Sequence, residues 1–367
     1  MNINIATLAK ALEQLAPPQL QESYDNVGLL TGSANWDCTG VLCTLDVTEA
    51  VMTEAIAQKC NLIVAHHPII FSGLKKITGN NYIEKIIITA IQHNIAIYAL
   101  HTNLDNVWNG VNTTFANKIG LLNQQILAPK SNQIIKLYTY IPATHTAVVK
   151  EALFAIGAGQ IGNYSECSFS VLGTGTYKGN DNSNPFVGTK NIREIVPEDK
   201  VELIFPTWMQ AQVITTLKAN HPYEEVAYEL ILTQNLHQYT GSGMVGMLPN
   251  AVTEEEFLQL LQQQFGTKVI RHSAFTKRKV QKVALCGGSG SFLITNALAA
   301  NADVFVTADV KYHDFFEANN RMLIADIGHY ESEQFTTNLI FDYISNKFPN
   351  FAILKTRVNT NSTQYFY

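Results

Sequence analysis

Three segments of the sequence concentrate histidine and carboxylate side chains, the residue types that ligate divalent metal ions in proteins. In chain order they are His66 and His67 in "VAHHPIIF", His101 and Asp105 in "ALHTNLDN", and Asp326, His329, Glu331 and Glu333 in "IADIGHYESEQF". None of these segments contains a cysteine, which favours a hard-to-borderline ion such as zinc, iron or manganese.

The number and spacing of these donors favour two ions over one. His329 and Glu333 are four residues apart, so both would point from one face of a helix that begins at His329. Pro68 holds His67 extended, and adjacent imidazoles are more easily shared between two metals than crowded onto one. The donors outnumber the three protein ligands of an open catalytic zinc site. Two ions about 3.5–4 Å apart would use them.

The elements around these segments alternate between strands and helices. The N-terminal third predicts a helix over 5–16, strands in "GVLCTLDVT", "NLIVAHHP" and "IAIYALHTNLD", a helix capped by Thr48 and another over about 81–93. The last third predicts strands in "KVALCGGSGS", "DVFVTAD", "RMLIADIG" and "FAILKT", with helices in "FLITNALAANA" and near 310–319 and 332–347. Because parallel strands present ligand sites at their carboxyl ends, the three segments are expected to converge there.

The middle of the chain has a different pattern. From about residue 134 it predicts the order β-α-β-β-α-β, which is typical of a ferredoxin-like α+β unit. The simplest organisation is a discontinuous metal-binding α/β domain, formed by 1–130 plus 241–367 around one mostly parallel sheet, and interrupted by an inserted domain at 131–240. Three consecutive domains are the alternative.

Composition excludes several functional classes. The 367 residues carry a formal charge of -5 and no basic tract, which argues against an electrostatic grip on nucleic acid or on anionic membranes. Five scattered cysteines form neither a disulfide framework nor a metal knuckle, and no secretory signal is visible, so we expect a cytoplasmic protein. Polar residues interrupt the most apolar stretch, "IIITAIQHNIAIYAL", which is therefore not a membrane span.

Two further segments allow two interpretations each. "CGGSGS" follows a strand, and its glycines Gly287, Gly288 and Gly290 could present backbone amides to a phosphate or simply form a turn. Asp25 and Asn26 in "YDNVG" could support a metal ligand or form a turn near the site.

The segments "YDNVGLLTG", "LDVT", "AHHPIIF", "HTNLD", "TADVKYHD" and "GHYESE" together resemble the GTP cyclohydrolase 1 type 2 homolog (Nif-three-like) dinuclear-metal family. The resemblance runs through both flanking thirds, in order. The middle segment resembles the CutA/PII-like insert of the longer bacterial members, most clearly in "NHPYEEVAYEL". The resemblance implies a toroidal homohexamer and a ligand set of His66, His67, Asp105, His329 and Glu333.

The function implied is metal-dependent hydrolysis through a metal-activated water, with a purine nucleotide or related small molecule as substrate and C8 of guanine as the carbon attacked. His101 and Glu331 are the candidates for proton transfer. The alternative is a non-enzymatic hexameric scaffold that binds metal or senses a ligand, with the PII-like insert as its regulatory part.

Overall fold

The structure is a computed structural model that describes residues 3–366. The chain forms two compact units. The flanking unit combines the segment up to Pro129 with the segment from Tyr239 onward, and the middle unit is Lys130–Gln238.

Helices and strands alternate through much of both units, and they are numbered here in chain order. The α-helices are α1 (Ile5–Leu15), α2 (Glu49–Ala57), α3 (Tyr82–Gln92), α4 (Thr102–Asp105), α5 (Val111–Ile119), α6 (Thr146–Ala155), α7 (Gln210–Asn220), α8 (Glu254–Phe265), α9 (Ile294–Ala299), α10 (His329–Glu333) and α11 (Thr336–Lys347). The strands are β1 (Gly28–Thr31), β2 (Val41–Thr44), β3 (Leu62–Ala65), β4 (Ala96–Ala99), β5 (Leu122–Pro129), β6 (Ile134–Pro142), β7 (Ser168–Lys178), β8 (Arg193–Pro206), β9 (Tyr228–Thr233), β10 (Gly241–Val252), β11 (Arg271–His272), β12 (Val280–Ser289), β13 (Val304–Ala308), β14 (Leu323–Asp326) and β15 (Ile353–Lys355).

Local sequence explains where the helices begin. Asn4 accepts a hydrogen bond from the backbone N–H of Thr7 at the start of α1, and Thr48 accepts one from Val51 at the start of α2. Thr253 and Glu256 form a reciprocal capping box on α8. The predicted helix near 310–319 is shorter than expected, because only Asp314–Ala318 is helical and that turn is of the 3-10 type.

The flanking unit contains two sheets, so the prediction of one mostly parallel sheet is wrong. The first sheet has the order β1-β4-β3-β2-β15, and the second has the order β11-β14-β13-β12-β10-β5. Strands β4, β3, β2 and β15 are mutually parallel, as are β12, β13 and β14. Antiparallel pairs add β1 to the first sheet and β11, β10 and β5 to the second. Wholly buried strands such as "LIVA" indicate burial on both faces, but they do not identify the neighbouring strand.

Each half of the chain supplies strands to both sheets. The C-terminal strand β15 pairs with β2 of the first sheet, and the N-terminal strand β5 pairs with β10 of the second. Helix α5 packs against both cores, since Val111 belongs to the cluster under the first sheet and Phe115 to the cluster under the second. This shared packing holds the strand ends of the two sheets together.

The middle unit has the chain order β6, α6, β7, β8, α7, β9 and an antiparallel sheet in the order β7-β8-β6-β9. Its core lies between the sheet and the two helices, with Leu137 and Val201 facing Val149, Leu153 and Val213. Among residues 3–366, no helix is both long enough and apolar enough to cross a bilayer.

Removing the middle unit is expected to leave a folded flanking unit. Pro129 at the end of β5 is the cross-strand partner of Gly241 at the start of β10, so the two cut ends lie side by side in one sheet. We expect a chain in which a short glycine linker replaces Lys130–Gln238 to unfold cooperatively and to bind metal like the intact protein. Circular dichroism during heating and elemental analysis measure this. A broad, non-cooperative transition would contradict it.

Candidate metal centre

The first two ligand segments follow neighbouring parallel strands. His66 and His67 come directly after β3, and His101 comes two residues after β4. The predicted extension of that strand through "HTNLD" is wrong, because the chain turns into the short helix α4 at Thr102. Asp25 accepts the backbone N–H of Thr102 (3.0 Å), and Asn103 Oδ1 accepts that of His101 (2.9 Å). These bonds satisfy amides that a strand would otherwise pair, and they turn Asp105 back towards the histidines.

The third ligand segment forms helix α10, which begins at His329. The single helix predicted near 332–347 is instead divided into α10 and α11. His329 and Glu333 lie on one face, with His329 Nε2 3.0 Å from Glu333 Oε2. Glu333 is buried, with 3% of its surface exposed. The carboxylate therefore reaches the interior from the second sheet, while the paired histidines reach it from the first.

The five predicted ligands meet around the two oxygens of Glu333. On one side, His66 Nε2 lies 3.8 Å from Glu333 Oε1 and 3.8 Å from Asp105 Oδ1. On the other, His67 Nε2 lies 3.0 Å from Glu333 Oε2 and 3.3 Å from His329 Nε2. Ligand atoms that share a zinc ion each lie about 2 Å from it, so separations of this size suit a common ion.

Two side-chain atoms of the predicted ligands have no hydrogen-bond partner. His66 Nε2 and Asp105 Oδ1 are buried and unpaired within the described chain. Leaving a buried polar atom unpaired costs free energy comparable to a lost hydrogen bond, and a bound cation would remove that cost. Together, His66, His67 and Glu333 form a cluster that could hold a metal ion.

Hydrogen bonds fix the orientation of every imidazole ring near the cluster. In each ring, Nδ1 donates a hydrogen bond to an oxygen, and this bond turns Nε2 towards the cluster or towards a cavity beside it. The acceptors are Leu100 O for His66 (2.7 Å), Asp46 Oδ1 for His67 (2.7 Å), Asp25 Oδ1 for His101 (2.7 Å) and Asp309 Oδ2 for His329 (2.6 Å). This is the arrangement of metal-ligating histidines, in which the outer partner sets the tautomer and the ring position.

Sequence reasoning missed Asp46 and Asp309. Both directly or nearly follow a parallel strand, Asp46 after β2 in "LDVT" and Asp309 after β13 in "TADVKYHD". That position at a strand's carboxyl end was the available signal. Asp25 forms the local turn that the sequence allowed, in which it accepts the Asn26 amide (2.7 Å). It also accepts a hydrogen bond from His101, which is not one of the predicted ligands.

Opposite charges within the cluster stabilise one another. Burial opposes the charged form of Glu333, but hydrogen bonds from His329 and His67 hold its pKa well below the usual value. Burial likewise opposes protonation of His67, but Asp46 and Glu333 outweigh it and raise the pKa of His67 to about 9. Protons on the histidines thus compensate the carboxylates, and a divalent ion at the same Nε2 atoms would displace them.

Asp105 and Asp25 show opposite shifts. Burial and the nearby charge of Glu333 raise the pKa of Asp105 to about 7. Burial also opposes ionisation of Asp25, but hydrogen bonds from His101 and Thr102 lower its pKa to about 2. Asp25 is therefore a fixed negative charge behind His101, whereas Asp105 needs a nearby cation to be fully ionised near neutral pH.

The remaining acidic side chains of the third segment point elsewhere. Glu331 is buried and accepts a hydrogen bond from Asn361 Nδ2 (3.1 Å). It lines a hollow of about 240 Å³ with Tyr365 and other residues of the C-terminal segment. Asp326 accepts from Arg271 and from the backbone amides of Val310 and Gly328, so it holds β14 in place.

The glycines of "CGGSGS" make room for Glu333. Strand β12 continues through Gly287 and Gly288, and the amides of these glycines donate to Asn112 Oδ1 (3.0 Å) and Ser332 Oγ (2.9 Å). Both amides are thus already paired and are not presented to a phosphate. Gly288 has φ +59°, and a Cβ there would lie 2.3 Å from Glu333 Oε1.

Two cavities lie beside the cluster, and His101 and His329 line both of them. The first, of about 350 Å³, is also lined by His67, Phe71 and part of the C-terminal segment. The second, of about 250 Å³, contains Asp105 and Glu333 together with further polar residues and exposed aromatic rings. A small molecule could therefore approach the ligand atoms from either side.

Comparison with known proteins agrees with the resemblance seen in the sequence. The sequence profile of the Duf34/NIF3 (NGG1p interacting factor 3) family matches residues 3–362. The chain is 40% identical over 328 residues to a GTP cyclohydrolase 1 type 2 homolog of Halalkalibacterium halodurans, a match that covers 89% of this chain and 88% of the relative.

Solved structures agree as well. A crystal structure of a Bacillus cereus protein related to NIF3 is 35% identical, with a TM-score of 0.88 and 100% of both chains covered. A Staphylococcus aureus protein is 31% identical, with a TM-score of 0.77 and 99% of both chains covered. The segments quoted from the sequence, the fold and these similarities all lead to one conclusion: the chain belongs to the Duf34/NIF3 family.

Proposed function

We propose that the cluster holds two divalent metal ions, zinc, iron or manganese, and that the protein is a metal-dependent hydrolase. The observation that carries the proposal is the pair of buried, unpartnered atoms His66 Nε2 and Asp105 Oδ1, 3.8 Å apart beside Glu333. A cluster that only stabilised the fold would pair these atoms with hydrogen-bond donors and acceptors.

The donors divide naturally into two sets. His66 and Asp105 would share one ion with Glu333 Oε1, while His67 and His329 would share the other with Glu333 Oε2. Glu333 would then bridge the pair, as carboxylates do in two-metal hydrolytic sites. Each set leaves room for ligands from solvent or substrate, the property that distinguishes catalytic from structural metal sites.

Ions bound here would supply Lewis-acid activation of water and polarise the substrate. The proton-handling group that the geometry favours is His101, whose ring lies 5.4 Å from that of His66 and 5.5 Å from that of His67. Its Nδ1 donates to the ionised Asp25, so its Nε2 is the nitrogen available to take up or deliver a proton. Glu331 has no contact of this kind with the cluster.

The substrate that we propose is a purine nucleotide or a related small molecule. Exposed aromatic rings flank the ligand cluster, with Phe71 beside the first cavity and Tyr24 and Phe292 beside the second. Such rings can stack on a planar base. The names of the curated relatives, GTP cyclohydrolase 1 type 2 homolog, support the same substrate class.

Three broader features belong to the same proposal. We propose that the middle unit is an inserted ferredoxin-like domain of the CutA/PII type, that the subunits assemble into a homohexamer, and that the protein works in the cytoplasm. The antiparallel strand order of the middle unit supports the first of these. The second follows from the family resemblance, and the third from the scattered cysteines.

Turnover by the metal-loaded protein tests the hydrolase. We expect protein purified without chelators, under anaerobic conditions, to hydrolyse at least one member of a panel of purine nucleotides and phosphoesters. Replacing His67 with alanine should lower the rate by about 100-fold or more, because one ion loses a ligand. His93→Ala, at an exposed position after α3, is the control and should leave the rate unchanged.

The two functional alternatives then separate clearly. A wild-type protein that holds two ions per chain but turns over no member of the panel would contradict the hydrolase and favour the metal-binding scaffold.

A further inference from the structure

The middle unit contains a cavity that plays no part in the proposed hydrolase. Its volume is about 470 Å³, within the range of small-molecule sites. Its lining combines aromatic rings with carboxylates. The rings are Tyr140, Tyr177, Phe186 and Tyr223, and the carboxylates are Glu198, Glu224 and Glu225.

The aromatic rings that form one wall of the cavity are tilted relative to one another and are not stacked in parallel. Tyr177 and Tyr223 are 5.7 Å apart at 67°, and Phe186 and Tyr223 are 6.3 Å apart at 52°. The Tyr177 hydroxyl donates to the carbonyl of Val187 (2.9 Å), which fixes one edge of the wall. Phe186 remains 51% exposed, although burying a ring of this size is favourable.

Glu198 is the most deeply placed charge in the cavity. Only 9% of its surface is exposed, and its Oε1 accepts a hydrogen bond from the Tyr223 hydroxyl (2.8 Å). Burial and this hydrogen bond raise the pKa of Tyr223, so the phenol stays protonated and keeps donating. A buried carboxylate is costly unless a cation balances it. The basic residue of the lining, Lys178, is itself exposed.

We propose that this cavity binds a small organic cation, an amine or methylated ammonium group. Ammonium groups bind the faces of aromatic rings, and a carboxylate at the end of such a pocket adds a charge partner. With three carboxylates and one lysine in its lining, the cavity would repel a phosphate or a carboxylate ligand.

Choline and its uncharged isostere, 3,3-dimethyl-1-butanol, test the role of charge directly. We expect calorimetric titration of the full-length protein to give a Kd of about 1 mM or tighter for choline, and binding at least about tenfold weaker for the alcohol. Equal binding of both probes, or no saturable binding of choline, would overturn the proposal.

Two glycines of β7 supply a matched pair of variants. A Cβ on Gly175 would lie 2.0 Å from Glu198 Oε2, whereas the contact of a Cβ on Gly173 is an ordinary 3.7 Å to a backbone oxygen. Gly175→Ala should therefore push the carboxylate aside and weaken choline binding about tenfold or more, while Gly173→Ala should leave it unchanged.

Glu198→Gln provides a second test, because it removes the charge and keeps the shape. It should weaken choline binding to a similar extent, with Glu151→Gln, at an exposed position of α6, as its control. Choline binding that survives both Gly175→Ala and Glu198→Gln, with both variants folded by circular dichroism, would overturn the proposal.

Discussion

Replacing Glu333 with glutamine is expected to remove both metal ions and not one. Its Oε1 faces His66 and its Oε2 faces His67 and His329, so one side chain serves both sets of donors. Glutamine keeps the shape but replaces an anionic oxygen with an amide nitrogen, which carries its own hydrogens and does not ligate metals. We expect metal affinity to fall by at least about 100-fold at both positions.

The control for this variant lies in the same helix. Glu331→Gln makes the same charge change at another buried position of α10, but Glu331 faces Asn361 instead of the ligand atoms. It should keep both ions. Elemental analysis of protein equilibrated with limiting metal measures the ratio of ions to chains. Glu333→Gln protein that still holds two ions per chain would refute the bridging role.

Replacing Gly288 with alanine is expected to disrupt the proposed metal site, because the added methyl group would collide with Glu333. The new Cβ would lie 2.3 Å from Glu333 Oε1 and 3.3 Å from His329 Cε1, so the carboxylate that we propose to bridge the ions must move. Gly288 also has φ +59°, a conformation that costs an alanine about 1–2 kcal/mol. We therefore expect Gly288→Ala to lose most bound metal and part of its stability.

Gly120→Ala separates these two effects. Gly120 has φ +80°, and a Cβ there would meet nothing within 4 Å, so the variant carries a similar backbone cost without the collision. Thermal unfolding with and without added metal compares the two variants. Added metal is expected to stabilise the wild type and Gly120→Ala equally, and to stabilise Gly288→Ala much less. Equal stabilisation of both variants would contradict the proposal that Glu333 needs the space left by Gly288.

The convergence of these histidines and carboxylates was predictable because each of the three segments carries its own local signal. His66 and His67 end a short apolar strand, and His329 and Glu333 have helical spacing at the start of a helix. Such signals depend on residues that are neighbours in the sequence. The helix starts at Thr48 and Asn4 are likewise set by a side chain and an amide three residues away.

Features that depend on distant pairing were not predictable in the same way. Strand β15 pairs with β2 and not with a strand from the last third of the sequence. The packing of the whole unit decides this choice, because candidate strands from both thirds are similarly buried and apolar. The roles of Asp46 and Asp309 depend on which histidine each one faces, at separations of 21 and 20 residues. An isolated aspartate after a strand carries no sign of that partner.

The exchange of strands between the two halves has a consequence for biosynthesis. His67 and Glu333 are 266 positions apart, so a ribosome adding about 5–20 residues per second completes the two halves of the site tens of seconds apart. Until β15 is synthesised, the first sheet lacks its edge beside β2, and Thr360, which donates to Asp46 (2.8 Å), follows β15 in the chain. The nascent chain therefore exposes an incomplete set of imidazoles for most of translation. We therefore expect the proposed site to take up its full complement of metal only after the segment from His329 to β15 has been synthesised and has paired with the first sheet.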